Sequence, residues 1–506
     1  MATVEPLLDT EAIQGNVLRG FNSQQLALLG LRLPASEPDA RAYLRSLAGR
    51  LTSLRSVHVL RLAQSAGMSP PGAGAILLNV ALSFPGVVRL GLTTDGILDR
   101  FFRVPMGSVA GELNDPTDPG GKPFDYVIGQ DWAHTPEVLL IIAAGSKDEL
   151  DAAVAAEQAD ATAHGCSNPT DQRGAKLPGD IEHFGFRDGV SQVGPRGRLS
   201  AAANDYLTPR YFAEGDPAGF VMSKPGQPLV WPGQFVFGYP NSDPDDLSVP
   251  GEVAEGGEIW MRNGSFLVYR RLRQDVAAFN AFGKRAAEDL TAGLGRPVAD
   301  VEAKSLLVGR WPDGTPILPS PQGSDPLLAA DDLRINNFDY RFDIPALSVI
   351  DGASVRELPA VPADRAGQRC PMFAHIRKVN PRGMPTDQAG LTATFQMLRR
   401  GIPFGPIYAD GPQAERGLLF LAYMTSVERQ FRLLTAQWMN NTAAPEVGEP
   451  GHDMLVGQAG AGHTRQCALK DALGNPRAQL TTTDRWVIST GGAVLFSPAI
   501  DLLASL

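Results

Sequence analysis

The chain has 506 residues, 43% hydrophobic and 20% charged, with a formal net charge of −10. That is long for one hydrophobic core, so two domains are expected, and the acidic balance argues against a nucleic-acid surface, which needs a basic face. Three widely spaced cysteines, Cys166, Cys370 and Cys467, make a disulfide framework or thiolate zinc cage improbable and read as buried thiols.

In chain order, Leu26–Leu33 reads as a strand, Glu37–Leu51 as an amphipathic helix, Ala75–Phe84 as a buried strand and Pro85–Leu92 as the start of a helix. Tyr126–Gly129 and Glu137–Ala144 are strand-like, and Lys147–Ala163 is a helix. The second half repeats the order: strand Ser265–Leu272, helix Gln274–Leu294, buried strand Gly417–Tyr423, amphipathic helix Ser426–Asn440 and a last strand, Gly492–Ser497. This order predicts an α+β fold of two ferredoxin-like units with antiparallel sheets. The halves share no visible identity, so the duplication rests on element order alone. Pro/Gly-rich stretches at Leu207–Gly238 and Pro240–Gly257 place the boundary, giving an N-terminal domain 1–225 and a C-terminal domain 226–506. Pro312–Ala330 and Ala443–Gly462 are long weakly structured stretches of the kind that wrap a ligand. The first residues lack a basic and apolar leader, and no segment has the roughly 20 apolar residues of a membrane helix. A cytoplasmic protein with no membrane partner is expected, or a secreted one if a signal peptide has been removed.

The histidines number seven, and no two stand within four residues of each other, which disfavours a polyhistidine metal site. Haem, which needs one protein nitrogen and an apolar slot, stays open. His375 has Met372, Phe373 and Ile376 around it and the cations Arg377, Lys378 and Arg382 after it, as a haem's proximal face with its propionates requires. The alternative is a core-edge histidine beside a solvated basic patch. In His183–Gln192 the Asp188-Gly189 turn is flanked by Phe184 and Phe186, which screen a carboxylate from water so that it can move a peroxide proton; a plain turn is the other reading. In Met397–Gly405 the twin Arg399 and Arg400 on an apolar background place a guanidinium where an oxyanion develops, or else simply close a helix. The Gly457–Gly462 run lacks the Lys-Ser/Thr of a phosphate loop, and the six tryptophans read mostly as core.

Together these stretches resemble the dye-decolorising peroxidase family, in particular its long members. GFRDG at 185–189, AHIRKVNPR at 374–382 and RRGIPFG at 399–405 are similar to its signatures and stand in the same order. So are IQGNVLRG at 13–20, LNVALSF at 78–84 and GLLFLAY at 417–423. The resemblance implies one haem b per chain in the second half, on a fold of the dimeric α+β barrel kind. His375 would ligate the iron, Asp188 would be the distal acid–base residue and Arg399 the distal arginine. Arg382 would hold a propionate, while Leu418, Phe420, Phe186 and Gly189 would shape the cofactor pocket. Asp453 would accept the proximal imidazole N–H, with Glu446, Glu449 and Glu428 as the other carboxylates open to that role. Tyr408 is the surface candidate for passing electrons from bulky dyes. The implied activity is peroxide-driven one-electron oxidation of dyes and phenols; a deferrochelatase-like activity or a haem carrier on the same fold are the rivals.

Overall fold

The computed structural model describes residues 4–68, 75–214, 216–352, 354–383, 391–458 and 462–506. The first half runs β1 (Gln25–Arg32), α1 (Glu37–Ala48), α2 (Leu54–Ser65), β2 (Leu77–Leu82), β3 (Val138–Ala144), α3 (Lys147–Ala163) and β4 (Ser167–Ala175). Its strands pair antiparallel in the order β4-β1-β3-β2, the ferredoxin-like arrangement. Every residue of β2 and β3 is buried, which explains their unbroken apolar runs in place of alternation. β4 is polar and exposed along most of its length, as an outer strand is. Helix α3 begins at a capping box in which Ser146 and Glu149 satisfy each other's backbone N–H.

The second half runs β5 (Ser265–Gln274), α4 (Val276–Leu294), α5 (Asp300–Val308), α6 (His375–Val379), β6 (Leu398–Arg399), β7 (Ile402–Phe404), β8 (Gly417–Met424), a π-helical α7 (Val427–Met439), β9 (Val487–Ser497) and α8 (Ile500–Ser505). The order β6-β8-β5-β9 repeats that of the first half, again with antiparallel pairs. β9 then meets β2 through Phe496 and Leu82, making one continuous sheet. At its far end the sheet curls until β4 reaches β7. Gly174 permits the approach, since a Cβ there would stand 2.4 Å from Ile402 Cγ2. The α+β architecture of two ferredoxin-like halves is therefore as the sequence predicts.

Three differences stand out. Tyr126–Gly129 forms only an isolated bridge from Ile128 to Gly491 rather than a strand. Ser426–Asn440 is helical but π-wound, a form that 3.6-residue periodicity does not distinguish. Helices α2, α5, α6 and α8 and strands β4, β6 and β7 are additional to the predicted elements. All three cysteines are buried and free. Residues 459–461 of the Gly457–Gly462 run, and residue 215 of the boundary stretch, lie outside the described residues. No described helix is long and apolar enough to cross a membrane.

Candidate active site

A cavity of about 380 Å³ lies between the inner face of the second half's sheet, helix α6 and the turn at 182–193. Alternate residues of a strand share a face, so β5 offers Arg270, Leu272 and Gln274 to it, and β8 offers Leu418 and Phe420. Phe186, Asp188, Gly189, His375, Arg382 and Arg399 line it too, so most of the residues singled out in the sequence meet here.

His375 opens α6. Its Nδ1 lies 2.7 Å from Asp453 Oδ2, while Asp453 Oδ1 accepts the N–H groups of Leu455 and Val456 at 2.9 and 3.1 Å. Burial acts to raise the Asp453 carboxyl, but the His375 imidazole and those N–H donors outweigh it and hold the carboxyl below its usual range. With Nδ1 committed to Asp453, Nε2 is the nitrogen left for a ligand. The other carboxylates are placed elsewhere: Glu446 pairs with Arg377 at 2.6 and 2.7 Å, Glu428 with Arg100 and Arg432, and Glu449 is exposed. Lys378 donates to the carbonyls of Asn441, Ala444 and Gly451, tying α6 to the segment that ends in Asp453. Burial pushes its ammonium down to about 8.

Across the cavity, Asp188 follows a tight loop. Its N–H donates to Asp180 O at 3.1 Å and its Oδ1 accepts the Gly189 N–H at 2.6 Å, with Gly189 at φ +70. Phe184 anchors the loop by packing on Phe279 of α4, ring centroids 4.3 Å apart. Arg399 is fastened to the same loop: its Nη2 donates to Ser191 O at 2.6 Å, and Gln192 Nε2 donates to Arg399 O at 3.0 Å.

At the cavity edge Arg382, at φ +57, stacks on Phe338 at 3.8 Å and donates to the carbonyls of Phe338 and Asn336 at 2.6 and 2.9 Å. Buried Arg310 donates to Asn336 Oδ1 at 2.7 Å. Among the described residues neither of them, nor Arg399, has a carboxylate partner. Burial, together with the charges of Arg382 and Arg399, pushes Arg310 down to about 9. Three cations facing one cavity without a counter-ion fit an anionic ligand such as the carboxylates of a haem.

Tyr408 is outside the cavity, half-buried, with the Arg416 guanidinium 5.2 Å from its ring. It packs against the apolar cluster that contains Phe184 and Phe186. Arg310, Glu182, Gln274 and the buried Arg270–Asp115 pair were not legible in the sequence. The one available signal was an arginine and a glutamate set among apolar and turn residues, too common to select.

Comparison with known proteins agrees with this geometry. Residues 235–447 match the family model Dyp-type peroxidase, C-terminal. The chain is 30% identical over 458 residues to the dye-decolorizing peroxidase msp1 of Mycetinis scorodonius, covering 84% of this chain and 75% of that protein. Among solved structures, an ancestral D-type dye-decolorizing peroxidase superposes with a TM-score of 0.77 at 28% identity over 98% of both chains. A dye-decolorizing peroxidase in complex with 2,6-dimethoxyphenol gives 0.74 at 26% identity over 99% of both. Sequence likeness spanning most of both chains, and the same fold throughout, lead to one conclusion: this chain belongs to the dye-decolorising peroxidase family and is a hydrogen-peroxide-dependent peroxidase.

Proposed function

We propose that this peroxidase works with one haem b, held in the cavity, and oxidises dyes and phenols by one-electron steps. The observation that carries the reading is the His375 imidazole on the cavity wall, its Nδ1 fixed by buried Asp453, with Asp188 and Arg399 lining the same cavity. When bound, haem supplies the two-electron reduction of peroxide and the one-electron oxidations of the substrate. His375 Nε2 would hold the iron, and Asp453, by accepting the Nδ1 proton, would make that nitrogen a stronger donor. Arg382 and Arg310 would hold the propionates. Phe186, Gly189, Leu418 and Phe420 would shape the pocket.

Asp188 takes the proton from one peroxide oxygen and returns it to the other, which it can do only while ionised. Arg399 offers a permanent positive charge to the oxygen that becomes negative. Its two ties to the Asp188 loop hold acid–base group and cation in one frame. In this reading residues 1–225 contribute the Asp188 turn and Asp115, and residues 226–506 the remainder of the site. Tyr408 passes electrons from dyes too large to enter. The complex of a relative with 2,6-dimethoxyphenol supports phenols as substrates.

The absorption spectrum of the purified chain supplied with haem is the test. A Soret band that shifts on one equivalent of peroxide and returns on adding a phenol is the expected result. A chain that takes up no haem would overturn the proposal.

A further inference from the structure

We propose that Glu182 is the positioning residue of the distal site, its carboxylate clamping the turn that carries Asp188 onto strand β5 and fixing by its own charge state how firmly that turn is held. The inference rests on the distal role proposed for Asp188 and adds the group that controls it.

Glu182 lines the cavity, and its two oxygens collect three donors. Oε1 accepts the Phe186 N–H at 3.0 Å; Oε2 accepts the Phe184 N–H at 2.9 Å and Gln274 Nε2 at 2.5 Å. The backbone closes the same loop, with Gly185 N donating to Glu182 O and Glu182 N donating to Phe186 O, both at 2.9 Å. A carboxylate that merely capped its own turn would take donors from that turn and otherwise face water. Here the third donor comes from β5, and the loop so fastened leads two residues later to Asp188. Three donors are matched by an ionised carboxylate; a proton on either oxygen turns an acceptor toward a donor and breaks one contact.

The surroundings place that event near neutrality. Burial pushes Glu182 up to about 7, opposed by its three donors and assisted by the Asp188 charge. The charged group acting on it is Asp188, from its own turn. β5 presents the neutral Gln274 amide, and its other inward polar group, Arg270, is paired with Asp115 at 2.7 Å. α4 contributes apolar Phe279 against Phe184, and the neighbouring His183 imidazole is turned to Phe404 O at 2.8 Å. Above neutral pH the clamp is ionised and closed; as pH falls it takes up a proton and the Asp188 turn loosens.

The rate of reaction with peroxide in the haem-loaded chain, followed by stopped-flow at the Soret band from acid to alkaline pH, should therefore rise through neutrality on a limb that belongs to Glu182. Glu182→Gln should keep the haem, abolish that limb and slow the reaction by roughly 10- to 100-fold, as loosened supports of a site do. Gln274→Met keeps the carboxylate but removes the outside donor to its ionised form, so the limb should move to higher pH. In the haem-free chain, Glu182→Gln should speed amide exchange at Phe184 and Phe186 and leave Leu419 and Leu421 of β8 unchanged. A neutral limb that survives Glu182→Gln, or unaltered exchange at those two amides, overturns the proposal. Asp188→Asn run in parallel separates the two readings. If it reacts with peroxide as the wild type does, the distal role of Asp188 fails, while amide exchange still decides whether the clamp exists. Should Glu182→Gln load haem poorly, Gln274→Met and the exchange measurement decide alone.

Discussion

Arg399 ends β6 and Arg400 follows it, still bonded through its N–H to Leu421 O of β8, and the two guanidiniums have separate tasks. Arg399 faces the cavity; Arg400 donates to Asn16 O, Val17 O and Leu18 O at 2.9, 2.9 and 3.0 Å, closing a short helix of the first half. The twin signature thus encodes one site residue and one structural residue, a division that the sequence alone does not reveal. If His375 holds the iron, His375→Ala should leave a folded chain that retains little haem, and a wild-type ferric spectrum in that variant would move the ligand to another residue. Asp188→Asn preserves size but cannot accept a proton, so its reaction with peroxide should slow by roughly 10²–10⁴. If Arg399 is the distal arginine, Arg399→Leu should lose about 10²–10³. Both variants should keep the haem. Stopped-flow at the Soret band distinguishes them, and an Asp188→Asn variant as fast as wild type beside a slow Arg399→Leu would give the distal role to the arginine.

Elements were legible where burial imposed a pattern and illegible where it did not. β2, β3 and β9 are buried throughout, β8 is buried except where Leu418 and Phe420 face the cavity, and each overlaps a strand the sequence placed, β9 beginning earlier than the predicted Gly492. β4 (SNPTDQRGA) was missed because an outer strand needs no apolar face, and α2 because only Leu54 and Val57 of it are buried. The site was legible through its signatures, whereas Arg310 and Glu182 are singled out by a contact each with a residue distant in the chain, Asn336 and Gln274. The signature at 13–20 turns out to serve the joint between the halves. Fully buried Gln14 donates to Val80 O at 2.9 Å and Pro498 O at 2.8 Å and accepts the Val80 N–H at 2.8 Å. It thereby supplies the cross-links that β2 and β9 lack beyond their one pairing at Phe496 and Leu82. In Gln14→Leu the Val80 N–H and the Pro498 carbonyl lose their partners, although Ser497 still bonds Val80 O. Two unmet buried groups cost about 2–4 kcal/mol, so thermal unfolding should begin several degrees lower. Calorimetry showing an unchanged transition would mean that the joint does not depend on Gln14.

At the scale of the whole molecule, the cavity is walled by the sheet, α6 and the 182–193 turn, and a dye of several fused rings meets the outer side of that wall. On the proposed reading the dye's electrons cross protein to the cofactor, with Tyr408 as the residue that passes them. It is half-buried, so one edge meets solvent, and its inner edge packs on the cluster whose Phe184 and Phe186 line the cavity. Arg416, held by the carbonyls of Pro406, Gly411 and Ala414, sits 5.2 Å from the ring and fixes the loop. A fixed cation at that distance opposes a charged ring radical but not a neutral one, so oxidation of Tyr408 should proceed with loss of its phenolic proton. Tyr408→Phe keeps the ring and its packing and removes that proton. Its steady-state rate with a bulky dye should fall about 10-fold, equivalent to one added step of barrier, while the rate with a small phenol that reaches the cavity is unchanged. Slowing of both substrates alike would place the effect at the haem site and remove Tyr408 from the route. A variant unaltered with both would send the dye's electrons through another aromatic residue.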